Sequence, residues 1–221
     1  ISSSGSISVQ GQNSYAVRSV TDLDGNFVSA GTIGVTGENS RGVSLEGDVS
    51  GNVEFRTVTA VSPGGEGAVI EGDVGGGVRA NGTITAHGYR TTRRYNEELM
   101  SLFESEAEAA ERGDVADNLD SGSALLIAGS VTDGVFISST GTLQAYTGGG
   151  AAFEIRPDED ADSDQVIGEV SLPDDYTSNR TDDDEDGDQL GYAVVNEGTI
   201  ANSGVFDGKD ATAFLIVGRD D

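Results

Sequence analysis

The sequence predicts an all-β chain, a right-handed parallel β-helix of about six coils, and three observations carry that expectation. The first is a fixed period. Gly47-Asp48-Val49 returns as Gly72-Asp73-Val74, 25 residues on, and the apolar member of a Gly-Thr-Ile unit returns at Ile7, Ile33, Val58 and Ile84, in steps of 26, 25 and 26. A repeat of this length marks architectures built from stacked units. The second is alternation: each period holds three short runs, such as 32–36 (Thr-Ile-Gly-Val-Thr), 42–46 (Gly-Val-Ser-Leu-Glu) and 52–56 (Asn-Val-Glu-Phe-Arg). Period-two alternation over about five residues is the signature of a half-buried strand. The third is punctuation, because Gly, Asn, Asp and Ser separate the runs, and these residues accept tight turns.

Three strands and three turns per period form one coil. Coils stack about 4.8 Å apart, each strand pairing with its equivalent in the next coil. The inward residues then form ladders, Ile7, Ile33, Val58 and Ile84 on one wall and Val17, Leu45 and Ile70 on another. One coil cannot bury its own inward side chains, so only the stack is stable. The right hand follows from the rule for parallel crossovers.

Composition narrows the function classes. Of 221 residues, 39 are acidic and 12 are Lys or Arg, a formal net charge of −27. That disfavours nucleic acid, whose phosphates need clustered bases. It favours divalent cations, a salty exterior or plain solubility. A hydrophobic content of 35% is low for a globular core but sufficient for the thin apolar column of a narrow solenoid. There is no cysteine, which suits a chain exported unfolded through an outer membrane. No apolar run approaches the 18 or so residues of a membrane-spanning helix. The chain opens on Ile1 followed by a Ser-rich stretch that is no signal peptide, so it reads as a piece of a longer protein.

Taken in order, 5–30, 31–56 and 57–81 are the first three coils. The fourth opens at Gly82-Thr83-Ile84 and then breaks period, its Gly-x-Val unit returning only at Gly129-Ser130-Val131. The helical insertion, 89–121, contains the one helical pattern, 96–112. Asn96 serves as N-cap, Glu97 and Glu98 occupy the first turn, and Gly113 terminates it. Leu99, Leu102, Phe103, Ala107 and Ala110 share one face. That face is expected to pack on the coil flank, or else to dock another chain. The coils resume at 123–131 and 134–138, and Gly141-Thr142-Leu143 opens the fifth, followed by 151–156. The acidic insertions, 157–190, surround the run 165–172, read as a further strand of the stack. Gly198-Thr199-Ile200 opens the sixth coil and 211–218 is its second strand, an apolar edge that further coils or a cap would cover. The whole, 1–221, reads as a single β-helix segment.

The sharpest local motif is the acidic run 182–188, Asp-Asp-Asp-Glu-Asp-Gly-Asp. It matches the first half of a calcium loop. Alternate carboxylates at Asp182, Asp184 and Asp186 can converge on one Ca²⁺ ion, Gly187 permits the sharp turn, and the Asp188 carbonyl supplies a fourth ligand. Where an EF-hand places its bidentate Glu this chain has Ala193, so a further ligand is expected from Asp174, Asp175 or the 158–164 loop. That loop alternates carboxylates too but lacks the glycine. The segment Asp22-Leu23-Asp24-Gly25-Asn26 reads as a turn rather than a metal loop.

Catalytic signals are thin. A Ser-His-Asp arrangement would have to use His87, the sole histidine, which lies beside Gly88. Gly75-Gly76-Gly77 reads as a turn between coils, since no helix follows it to hold a phosphate. Paired carboxylates of the glycosidase kind remain compatible with so acidic a chain.

The units Gly31-Thr32-Ile33, Gly82-Thr83-Ile84, Gly141-Thr142-Leu143 and Gly198-Thr199-Ile200, with Gly47-Asp48-Val49 and Gly72-Asp73-Val74, resemble the β-helical passenger region of bacterial autotransporter-type surface proteins. The resemblance implies export across an outer membrane by a C-terminal β-barrel that is not in this sequence, and a place on the bacterial cell surface. The continuous coil register without concentrated catalytic chemistry points to a non-catalytic structural or adhesive segment, stabilised by calcium through the acidic run, with a second copy or a surface glycan as partner and, from the net charge, no nucleic acid. The competing expectation is a polysaccharide-active β-helix enzyme, a lyase or hydrolase. Such enzymes cluster carboxylates or basic residues on one coil wall near aromatic sugar platforms, and Asn-Thr-Asp, Gly-His-Gly and Arg-Ile-Lys triplets are absent here.

Overall fold

The computed structural model describes residues 1–88, 120–147, 150–157, 164–171, 191–204 and 210–218, and within them every regular element is a strand. Each strand pairs in parallel with the strand one period on, so the chain returns to the same sheet once per repeat. One sheet holds nine strands: β1 (Ser2–Ser3), β2 (Ser6–Gln10), β4 (Phe27–Thr36), β6 (Val53–Val61), β8 (Val78–His87), β10 (Val135–Ile137), β11 (Thr142–Ala145), β13 (Val194–Asn196) and β14 (Thr199–Asn202). The other holds six: β3 (Tyr15–Ser19), β5 (Arg41–Leu45), β7 (Ala68–Ile70), β9 (Leu125–Ile127), β12 (Ala151–Ile155) and β15 (Thr212–Ile216). Between them a rung of single bridges links Leu23, Val49, Val74, Val131 and Ile167. This arrangement is compatible with a solenoid of the β-helix kind.

The first expected ladder is present and longer than the period alone revealed. Ile7 pairs with Ile33, then Val58, Ile84, Leu143 and Ile200 in unbroken parallel register. Ile33, Val58, Ile84 and Leu143 are essentially sealed from solvent, the two end rungs partly so. Burying one such side chain stabilises the fold by about 1.5–3 kcal/mol. The second expected ladder is displaced. Val17 pairs with Val43 and then Ala68, while Leu45 and Ile70 continue the column that starts at Ser19. The slip is two residues. Because side chains alternate with a period of two, a two-residue slip keeps the same face inward, and the apolar pattern alone cannot distinguish the registers. The corrected column ends in Phe153 on Phe214, rings stacked 4.6 Å apart.

The expectation of three separate strands per coil also needs correction. The third run of one coil and the first of the next fuse into one long strand, as in β4, β6 and β8. The fusion bends at a corner of variable length. Two residues, Ala30 and Gly31, lie between Ser29 and Thr32, but Arg56 alone lies between Phe55 and Thr57, and Asn81 and Gly82 follow Ala80. That one-residue difference produces the steps of 26, 25 and 26.

Glycine recurs in the two signature units because neighbouring coils leave no room for a Cβ. A Cβ on Gly72 would collide with the Gly47 carbonyl, and one on Gly198 with the Gly141 carbonyl. Buried polar groups at another corner are satisfied coil to coil. The Ser40 hydroxyl takes the Ser14 N–H at 2.9 Å and donates to Gly11 O at 2.9 Å, and the Ser40 N–H donates to Ser62 Oγ at 2.7 Å. An unpaired buried group would cost about 1–3 kcal/mol.

The expected helix at 96–112 lies outside the described residues. The strand expected at 165–172 is reduced, within 165–171, to isolated bridge positions at Ile167, against Val131, and at Ser171, with Val170 buried against Phe136 and Val195.

Candidate functional site

Asp182, Asp184, Asp186 and Asp188, together with Asp174 and Asp175, lie outside the described residues, as does 158–163 of the companion loop. The described flanks show how the main acidic segment is held. The Val170 N–H donates to Tyr192 O at 2.8 Å, bringing the two ends of 172–190 together. The Ser171 N–H donates to Asp133 O at 3.3 Å, and Arg79 Nη2 donates to Ser171 O at 3.2 Å. Arg79 also reaches Glu54 at 3.4 Å. This places a guanidinium beside Ser171, the last described residue before the acidic segment. Sequence reasoning missed Arg79, because a lone basic residue in an alternating strand carries no motif. Gln165 anchors the end of the other acidic loop, its Nε2 donating to Ile127 O and Gly129 O at 3.0 Å each. Among the described residues no group of three or more His, Cys, Asp or Glu is placed to hold a metal ion.

The Asp-rich turns do a different job. Asp22 Oδ1 accepts the Asp48 N–H at 3.1 Å, Asp48 Oδ1 accepts the Asp73 N–H at 2.9 Å, and Asp73 Oδ1 accepts the Ser130 N–H at 2.7 Å. Asn26 and Asn52 repeat the pattern, accepting from Asn52 N and Gly77 N at 2.8 and 2.9 Å. Each carboxylate or amide thus receives a backbone donor from the next coil, which would otherwise be left unsatisfied at the turn. The turn reading of 22–26 accords with this, with Gly25 at a φ of +112°. Gly75-Gly76-Gly77 is likewise a turn, joining the Val74 rung to β8.

On the outer side of the six-stranded sheet, charges pair across coils. Arg18 meets Glu46 at 2.6 Å, and Arg41 bridges Glu66 and Glu71 at 3.0 and 2.9 Å. The hydrogen bond from Arg18 holds the Glu46 carboxyl below its ordinary range. Burial opposes the charge on Arg41, yet Glu66 and Glu71 together keep its affinity for a proton raised. His87 closes β8 with its Nδ1 3.0 Å from Gly88 O and its ring edge-on to Tyr146 at 6.1 Å.

The outer face of the nine-stranded sheet is built otherwise. The residues flanking the Ile7 ladder point outward, giving one column of Ser6, Thr32, Thr57, Thr83, Thr142 and Thr199. A second column, two residues on, holds Ser8, Gly34, Thr59, Thr85, Gln144 and Ala201. The signal for the first column was the Thr of each Gly-Thr-Ile unit, which sequence reasoning used only for its apolar neighbour.

Comparison with protein families, curated proteins and solved structures returns no match.

Proposed function

We propose that the chain is a right-handed parallel β-helix of about six coils, roughly 25–30 Å tall at the strand spacing, acting as a non-catalytic structural or adhesive segment of a bacterial surface protein. The observation that carries the reading is the Ile7 ladder. Six inward residues keep one register although successive rungs lie far further apart in sequence from Ile84 to Leu143 and from Leu143 to Ile200 than in the earlier coils. A fold that keeps its register across such uneven spacing suits a rigid spacer. Calcium on Asp182, Asp184, Asp186 and the Asp188 carbonyl belongs to the same proposal, as does an extracellular, autotransporter-type setting, which the repeat units support by resemblance.

The test pairs shape with chemistry. Purified protein should give a β-dominated far-UV spectrum, a compact folded scattering profile about as wide as it is tall, and no reducing ends from a panel of acidic polysaccharides. A mainly helical spectrum or the profile of an expanded, unfolded chain would sink the spacer. Turnover of a polysaccharide would transfer the reading to the lyase or hydrolase class.

A further inference from the structure

Two adjoining outward columns of the nine-stranded sheet carry no charge, while a further outward column of that sheet, beyond the bend, sets Glu54 beside Arg79 at 3.4 Å. In a chain with 51 ionisable acids and bases among Asp, Glu, Lys and Arg, none occupies the twelve positions of the two columns. The opposite sheet shows what the same scaffold does elsewhere, with Arg18, Arg41, Glu46, Glu66 and Glu71 paired on its outside. The first column is a hydroxyl at every rung, Ser6 followed by five threonines, and the second adds Ser8, Thr59 and Thr85. All of these are exposed or partly exposed. None of their hydroxyls takes part in the hydrogen bonds that the described residues make among themselves, although the serines of the neighbouring corner do.

Spacing makes the columns a lattice. Successive strands set hydroxyls about 4.8 Å apart along a column, and alternate residues of one strand set the two columns about 6.6 Å apart. The buried Ile33, Val58, Ile84 and Leu143 beneath them pin the strands from the inside. Threonine is stiff at χ1, so the groups are ordered before anything binds. Each offers a hydroxyl that both donates and accepts, beside a methyl that sheds water.

We infer that this face binds ice. A repeating, uncharged, rigid array of hydroxyls and methyls matches a crystal of neutral molecules that donate and accept alike, and the two repeats lie close to those of the oxygen lattice on a prism face. A soluble ion or a charged polymer would call for the opposite composition. A neutral polysaccharide would call for a row of aromatic platforms, and the columns contain none; the ring beside them is that of Tyr146, whose hydroxyl accepts from Gln144 Nε2 at 2.9 Å and which meets His87 edge-on. The inference depends on the stacked coils but not on the cellular setting proposed above.

The test uses the whole purified chain. Thermal hysteresis, shaping of single ice crystals and incorporation of fluorescently labelled protein into a growing ice hemisphere are all expected. Thr57→Lys with Thr83→Lys puts two charges in the middle of the array, and each charge that must be desolvated at the contact weakens it, so uptake into ice should fall about tenfold or more. Val166→Lys, a substitution at an exposed site on another part of the surface, should leave uptake unchanged. Circular dichroism and a thermal melt confirm that each variant is folded. A folded parent with no hysteresis and no uptake overturns the inference and leaves the spacer reading standing. So does uptake that ignores the two lysines. Retention on insoluble cellulose or chitin that the lysines abolish, without ice activity, reassigns the face to a glycan and equally overturns it.

Discussion

Gly72 shows how one residue type sets the repeat. Its hydrogen stands where any larger group would strike the Gly47 carbonyl, and Gly129 stands against Gly72 in the same way. Gly72→Ala therefore forces the coils apart at the turn and should destabilise the protein by about 1–3 kcal/mol, the range of an overpacked interior. Gly5→Ala is the control, because its Cβ would meet nothing within 4 Å. Urea unfolding of the two variants beside the parent measures the difference, and equal midpoints would remove close packing as the reason for the glycine. These glycines were legible in the sequence as a period, and so was the Ile7 ladder, because the Gly-Thr-Ile unit marks its phase. The register of the second sheet was legible too, but from the period and not from the alternation. Val43 and Leu45 face the same side, and only the step of 26 residues puts Val43 beneath Val17, where the expected ladder took the larger Leu45 at a step of 28.

Elements in this chain are joined by corners, and the corners hid the strand count. Arg56 alone turns a bend that Ala30-Gly31 and Asn81-Gly82 turn with two residues, so runs that look separate become one strand in β4, β6 and β8. The acidic segment 182–188 is an element of another sort, with six acidic side chains in seven residues. Its flanks are tied by Val170 to Tyr192 and steadied by Arg79. Such charge density repels itself unless a cation intervenes. A Ca²⁺ ion that binds only the folded state adds about 2.7 kcal/mol at a hundredfold excess over its dissociation constant. The melting temperature should rise from EDTA to millimolar calcium at matched ionic strength, and the rise should vanish in Asp184→Asn and Asp186→Asn. The same rise in parent and variants would remove the ion from that segment. The motif itself was plain in the sequence; its partners were not, since Arg79 lies about a hundred positions away in the chain.

At the scale of the whole molecule, two sheets share one column of apolar residues and divide their outer surfaces by chemistry. Salt bridges cover one face, two uncharged, hydroxyl-rich columns run along part of the other beside the Glu54–Arg79 pair, and hydrogen-bonded Asp and Asn side chains line a turn between the sheets. That division follows from register rather than composition, since a net charge of −27 gives no hint that two neighbouring columns are free of it.

The corner of variable length has a genetic consequence. Because it accepts one residue or two without turning any neighbour inside out, the junction tolerates imprecise splicing of repeats. Tandem duplication of the codons for 57–81 would leave Asn81 alone at the new junction, as Arg56 stands alone now. The product should fold with one more rung, lengthen by about 4.8 Å, and melt in a single transition. Scattering and calorimetry on the duplicated gene's product would check this, and aggregation or a split melt would show that the junction is not free to vary. A gene built this way can change the reach of its product by recombination alone, with no new core to invent.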